Sequence, residues 1–292
     1  MPLVLPILNG VSQGVLLFLV ASGLSLVFGV MGLLNFAHGG FFALGAFVTY
    51  SLTAGASLPA WQFLLLVVVG AIAVGLLGIV AEMFVFRRIY HLAPIDALFA
   101  TYAVLLTLQG GMTQIWGVNP LGVARSPEFR GALNLGGADV PAYDFALIAI
   151  GAVVVVALWL LLERSAFGRI VRATAADRTM SACLGINVRF IFAAMFGLGT
   201  FLAALGGGLV SQLVQVDAGL AATFVIQSFA VVIVGGLGSI FGALVAALLL
   251  GLLDSLVVSF DPTFSGFTLY FGMALMLLAK PSGLFGSASD RL

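Results

Sequence analysis

Side chains able to do chemistry are few in this chain. Its 292 residues hold two imidazoles (His38 and His91), one thiol (Cys183) and one lysine (Lys280). Neither histidine sits in an HExxH helix, and no GxSxG turn presents a serine, so a zinc hydrolase or serine hydrolase site is not written here. A phosphate-cradling loop needs a glycine-rich turn that ends in Lys and Ser or Thr. Lys280 is followed by Pro281 and Ser282 and cannot serve. Any ATP used by this protein must be held by another chain. The one cysteine cannot form an internal disulfide.

The polar groups that do stand out interrupt apolar runs. Asn35 and His38 lie in GVMGLLNFAHGGFFALG, residues 29–45. Polar side chains at membrane depth face a bundle interior or a cavity. Gly39 and Gly40 allow a break or a close backbone approach there. Exposed backbone at a broken helix can bind a polar solute. The segment therefore reads either as a turn beside a translocation route or as a satisfied polar hinge. A second break is Gly235-Gly236-Leu237-Gly238-Ser239. The two share a loose layout, which suggests an internal repeat. Glu82 and Asp254 are the acids set within or at the edge of apolar segments. Arg87 and Arg88 stand near Glu82, so a structural pair is expected. Asp254 has no basic neighbour in sequence and is the better candidate for solute contact or ion coupling. Gln109, Gln114, Gln212, Gln215 and Gln227 are further hydrogen-bonding groups.

Composition says what must position these residues. Apolar residues make up 62% of the chain and charged ones 8%, against about 45–50% and 25% in soluble domains. The first charged residue is Glu82. A soluble protein cannot hide so much apolar surface, and disorder is excluded for the same reason. Zero net charge and few basic residues argue against a nucleic-acid partner. The expected fold is all-α, a polytopic membrane helical bundle, forming one transmembrane domain over 1–292. A bilayer span needs about 20 apolar residues. Strong candidates are 9–31, 61–85, 94–116, 142–162, 189–212 and 240–258. Shorter ones are 38–54, 222–235 and 264–279. That makes eight or nine membrane elements, some short or broken. MPLVLPILNG lacks the basic start of a cleaved signal peptide, so it is expected to open the first helix.

With nine elements, Arg87, Arg88, Arg164, Arg169, Arg172, Arg178, Arg189, Lys280 and Arg291 fall on one side. Arg125 and Arg130 fall on the other. The positive-inside rule then places the N-terminus outside and the C-terminus in the cytoplasm. Residues 117–141 form the outer loop. Residues 163–189, ERSAFGRIVRATAADRTMSACLGINVR, form the inner one. A surface helix is expected over roughly 168–182, with Gly168 and Gly185 at its ends.

Three pieces, in order, carry a resemblance. They are GLSLVFGVMGLLNFAHGGFFALGAFV, RATAADRTMSACLGIN and FVIQSFAVVIVGGLGSIFGALVAALLLG. Together the chain resembles the permease family of high-affinity branched-chain amino-acid ABC importers over roughly residues 5–283, and the short LivH-type permease more than its longer partner. The resemblance implies a bacterial inner-membrane subunit without catalytic residues, cofactor or metal of its own. It implies a second, related permease, two ATPase subunits that hold ATP and Mg, and a periplasmic solute-binding protein. It places the coupling segment in 163–189, docking through Arg172, Ala173, Thr174, Asp177, Arg178, Ala182, Gly185 and Ile186. It implies inward transport by alternating access, with Asn35, His38, Gly39, Gly40 and Asp254 expected along the substrate path. Gly39-Gly40 stands where HGE is common in the family, so a polar group after His38 is missing. Branched-chain amino acids are the expected solute, with urea or a short amide as the alternative within the family. Outside it, the alternatives are an ion-coupled transporter or a passive small-solute channel.

Overall fold

The computed structural model describes residues 3–135, 138–280 and 282–286. Among the described residues eleven helices, two short 3-10 turns aside, follow one another: α1 (Val4–Met31), α2 (Ala37–Thr53), α3 (Ala60–Ile89), α4 (Pro94–Trp116), α5 (Ala142–Arg164), α6 (Ala166–Ala176), α7 (Arg178–Cys183), α8 (Val188–Val210), α9 (Leu220–Gly235), α10 (Ile240–Phe260) and α11 (Phe267–Ala279). Six of them are long and apolar enough to span a bilayer, and α9 and α11 are shorter apolar pieces. All nine elements expected from hydropathy are present. The inner surface helix is the exception, being two helices broken at Asp177. Gly168 lies inside α6 rather than at its end. Ser165 accepts the Gly168 N–H at 3.0 Å and caps the helix three residues earlier. A small antiparallel hairpin also interrupts the all-helical plan, pairing β1 (Ala132–Leu135) with β2 (Ala138–Pro141) in the 117–141 loop.

Helix α1 is the axis of the bundle. Its most apolar stretch is 89% buried, against 22% in α4 and in α5. It packs on α8 and α10 over most of its length. Small residues allow this. A Cβ on Gly23 would lie 2.4 Å from the Gly199 carbonyl of α8, and one on Gly14 would lie 2.9 Å from the Ala247 carbonyl of α10. The Gly206-Gly207-Gly208 run serves α2 in the same way. By contrast, the outer faces of α3 and α11 carry exposed Leu, Val, Ile and Phe, as a lipid-facing surface requires.

The basic side chains at the ends of α3 and α5, in α6 and α7, and at the start of α8 cluster at one end of the bundle. Arg87 Nη2, for example, donates to the Arg189 carbonyl at 3.3 Å. Arg291 lies outside the described residues. The opposite end is tied together by its loops. Arg125 Nη2 donates to the Gln212 carbonyl at 3.4 Å, Arg130 Nη2 to Ser57 Oγ at 2.8 Å, and Gln212 Nε2 to Ser126 Oγ at 3.1 Å.

Candidate functional site

At the basic end, α1 stops at Gly32, which takes a left-handed conformation (φ 66°) and donates its N–H to the Phe28 carbonyl at 2.7 Å. The last carbonyls of α1 then lack helical partners. Arg178 of α7 supplies one. Its Nη2 donates to the Met31 carbonyl at 2.7 Å and to the Val30 carbonyl at 3.3 Å. Its guanidinium lies 5.0 Å from the centre of the Phe192 ring. A cation at a helix C-terminus also meets the negative end of the helix dipole. Tyr90 extends the cluster, donating to the Met31 sulfur at 3.2 Å and stacking edge-on against Phe192. Behind it, Glu82 is fully buried in a widened turn of α3. Arg87 Nε reaches both of its carboxylate oxygens at 3.1 Å, which is the structural pair expected from sequence.

The other coupling-segment residues divide by exposure. Thr174 is buried and donates to the Ile170 carbonyl at 2.9 Å, so it faces the bundle rather than a docking surface. This corrects its expected place among docking contacts: a helix lying on a protein turns every third or fourth residue inward. Arg172 pairs with Glu163 at 3.4 Å and also bonds the Leu162 carbonyl. Asp177 caps α7, accepting the Met180 N–H at 2.9 Å. Ala173, Ala182 and Gly185 are exposed and Ile186 half-buried. Gly185, at φ 83°, turns the chain after α7. Two residues not singled out from sequence dominate this surface. Met180 is 58% exposed and Leu184 74%. Their signal in the sequence is two large apolar residues, one within and one just after the short helix RTMSAC, whose other residues are small or polar. A cleft of about 320 Å³ separates α6 from the Gly236–Ser239 turn, bordered by Ser25, Arg172, Ala175 and Gly238. The two glycine-rich breaks meet here, since a Cβ on Gly29 would lie 3.2 Å from the Gly238 carbonyl.

The Asn35–Gly40 turn lies deeper. Asn35 Oδ1 accepts the N–H of Ala37, the first residue of α2, at 3.0 Å. Thr101 Oγ1 of α4 accepts the Phe36 N–H at 3.3 Å. His38 Nε2 donates to the Val20 carbonyl of α1 at 2.9 Å, while its Nδ1 has no partner among the described residues. Gly39 packs against the α9 backbone, where a Cβ would lie 2.1 Å from the Ala221 carbonyl. Asn35, His38, Gly39 and Gly40 are all buried.

Asp254 is remote from this turn. It joins three helices at the far end, accepting from Gln13 Nε2 of α1 at 3.0 Å and from the Gly266 N–H before α11 at 3.2 Å. Both carboxylate oxygens are thus used. Asp254→Asn is expected to keep most transport activity, because a carboxamide oxygen still accepts one of these bonds. Asp254→Ala, which strands two donors, is expected to lower stability by about 1–3 kcal/mol. Uptake and thermal stability of the two variants check this. An ion-coupling carboxylate would instead lose activity in the Asn variant.

The sequence profile described as "Branched-chain amino acid transport system / permease component" matches residues 6–279. The high-affinity branched-chain amino acid transport system permease protein LivH of Escherichia coli is 27% identical over 290 residues, covering 95% of this chain and 94% of the relative. BraD of Pseudomonas aeruginosa, a permease protein of the same description, is 28% identical over 295 residues, covering 96% and 94%. LivM of Escherichia coli is 29% identical over 294 residues, covering 92% of this chain and 68% of that longer protein. With a bundle of apolar helices, a capped axial helix and a match along nearly its whole length, this chain belongs to the permease component family of branched-chain amino acid transport systems.

Proposed function

We propose that this multi-pass membrane protein is the permease half of an ATP-driven importer that carries branched-chain or related amino acids inward by alternating access. A solute-binding protein delivers the amino acid at the end holding the 117–141 loop. Two ATPase chains, with ATP and Mg, dock at the basic end. The chain itself supplies the path and the coupling, and no bond-making chemistry. It sits in the bacterial inner membrane with its N-terminus outside and its C-terminus in the cytoplasm.

The observation that carries this reading is the attachment of the exposed helix pair α6–α7 to the end of the axial helix through Arg178. A push on α7 is transmitted to α1 and to the Asn35–Gly40 turn that follows it. That turn then acts as a hinge beside the path. Met180 and Leu184 form the apolar knob that an ATPase groove would cover, flanked by Ala173, Ala182 and Gly185. Leu184→Asp places a charge in that contact. It is expected to abolish co-purification of the two ATPases, or their stimulation by loaded binding protein, at unchanged folding. Intact stimulation would sink the docking role.

A second, related permease is expected on α4. Its outer-half face presents exposed Thr107, Gly110, Gly111 and Gln114, and nothing lies within 4 Å of a Cβ built on either glycine. Polar and small residues on one membrane helix suit a helix neighbour better than lipid. The resemblance to both LivH and LivM supports a pair of related permeases.

A further inference from the structure

At the end opposite the basic one, α1 places Asn9, Ser12, Gln13, Leu16 and Leu17 on a single helical face, through i, i+3, i+4, i+7 and i+8 spacing. That face borders a cleft of about 250 Å³. Asp144 and Leu147 of α5 close one side, and Phe224 and Gln227 of α9 the other. Along α1 and α5 the lining passes from polar to apolar, with Asn9, Gln13 and Asp144 nearer the helix starts than Leu16, Leu17 and Leu147, while on α9 Phe224 precedes Gln227 by one turn. Beside it, Phe224 stacks on Phe42 with ring centres 4.0 Å apart, and α1 is buried from Phe18 to Leu24. One polar atom here is unsatisfied, since Asn9 Oδ1 is buried with no partner among the described residues. Gln13 is already engaged with Asp254.

We infer that this cleft is the outward-facing station for the solute, and that it selects a zwitterionic amino acid with an aliphatic side chain. The Asp144 carboxylate faces the ammonium group. Asn9 Oδ1 accepts from the same ammonium, the side-chain amide of Gln227 donates to the carboxylate, and Leu16, Leu147 and Phe224 cover the aliphatic group. A neutral solute such as urea needs neither a carboxylate partner nor an apolar floor. Because Gln13 bonds Asp254, the same face of α1 is tied to α10 and α11 beside the bound solute. The inference rests on the permease reading above and adds to it the place and chemistry of recognition.

The test uses the whole complex in proteoliposomes, with Cys183→Ser as background. Gln227→Cys is labelled by a water-soluble thiol reagent from the binding-protein side. Leucine delivered by its binding protein is expected to slow labelling severalfold, and urea to leave it unchanged. Asp144→Asn is expected to lower the leucine imported per ATP hydrolysed about tenfold, the worth of a charge-assisted bond, with ATPase stimulation retained. If the parent complex imports leucine while labelling is unprotected, the cleft assignment is overturned and the permease reading stands. If Asp144→Asn does not assemble, the labelling result decides alone. If the parent complex imports no amino acid, the permease reading fails, and the cleft assignment with it.

Discussion

Arg178→Ala is expected to leave ATP hydrolysis running while solute uptake falls about tenfold or more. The guanidinium makes two charge-assisted bonds to the last carbonyls of α1 and lies against the Phe192 ring. A hydrogen bond to a charged group contributes about 1.5–3 kcal/mol, and each 1.4 kcal/mol is a factor of ten in the equilibrium it biases. Alanine removes the grip of α7 on α1 but leaves the proposed docking residues Met180 and Leu184 in place, so an ATPase docked there would still turn over. Arg178→Lys should fall between the two, because an ammonium keeps a positive charge at the end of α1 but loses the flat guanidinium that lies against the Phe192 ring. Reconstituted complexes, with uptake and phosphate release measured together, give the ratio directly. Equal loss of both activities in Arg178→Ala would mean that the residue serves docking or folding rather than transmission.

Gly207→Ala is expected to be the most damaging single-methyl change in the bundle. A Cβ there would sit 1.9 Å from the Phe42 carbonyl, on the backbone of α2 and not on a side chain able to swing aside. Helices α2 and α8 would have to separate. Overpacking a close interior contact costs about 1–3 kcal/mol, and a backbone obstacle belongs at the upper end. Gly39→Ala meets the Ala221 carbonyl at 2.1 Å and should behave alike. Gly110→Ala, in open space on α4, is the control. It is expected to be neutral or to stabilise the isolated chain slightly, since alanine favours helix over glycine by up to about 1 kcal/mol. Thermal unfolding of the purified chain in detergent separates the three. The same Gly110 variant should weaken capture of the second permease, because the α4 face then carries a methyl where a neighbouring helix would approach.

Much of the architecture was legible because the bilayer imposes a long apolar period that few folds share. The nine hydropathic runs are helices, and the pairing of Glu82 with nearby Arg87 followed from their spacing. The 163–189 segment was legible in place but not in form. Its break at Asp177 depends on a side chain choosing to cap a new helix, which an Ala-rich window does not reveal. Thr174 and Met180 look equally available in the sequence, and only the way α6 and α7 lie on the bundle turns one inward and leaves the other exposed.

The polar groups show the same division. By itself the sequence determined a membrane helical bundle and the segregation of basic residues along the chain, because composition, charge placement and apolar run length depend on no tertiary contact. The tertiary structure alone decided that Asp254 fastens three helices, that Arg178 reaches inward to the end of α1, and that Asn9, Asp144 and Gln227 share a cleft. Those facts depend on which helix faces meet. In a bundle built of similar apolar helices, glycine contacts and single polar bonds settle that choice, and their partners can lie far apart in sequence, 18 residues for His38 with Val20 and 241 for Gln13 with Asp254.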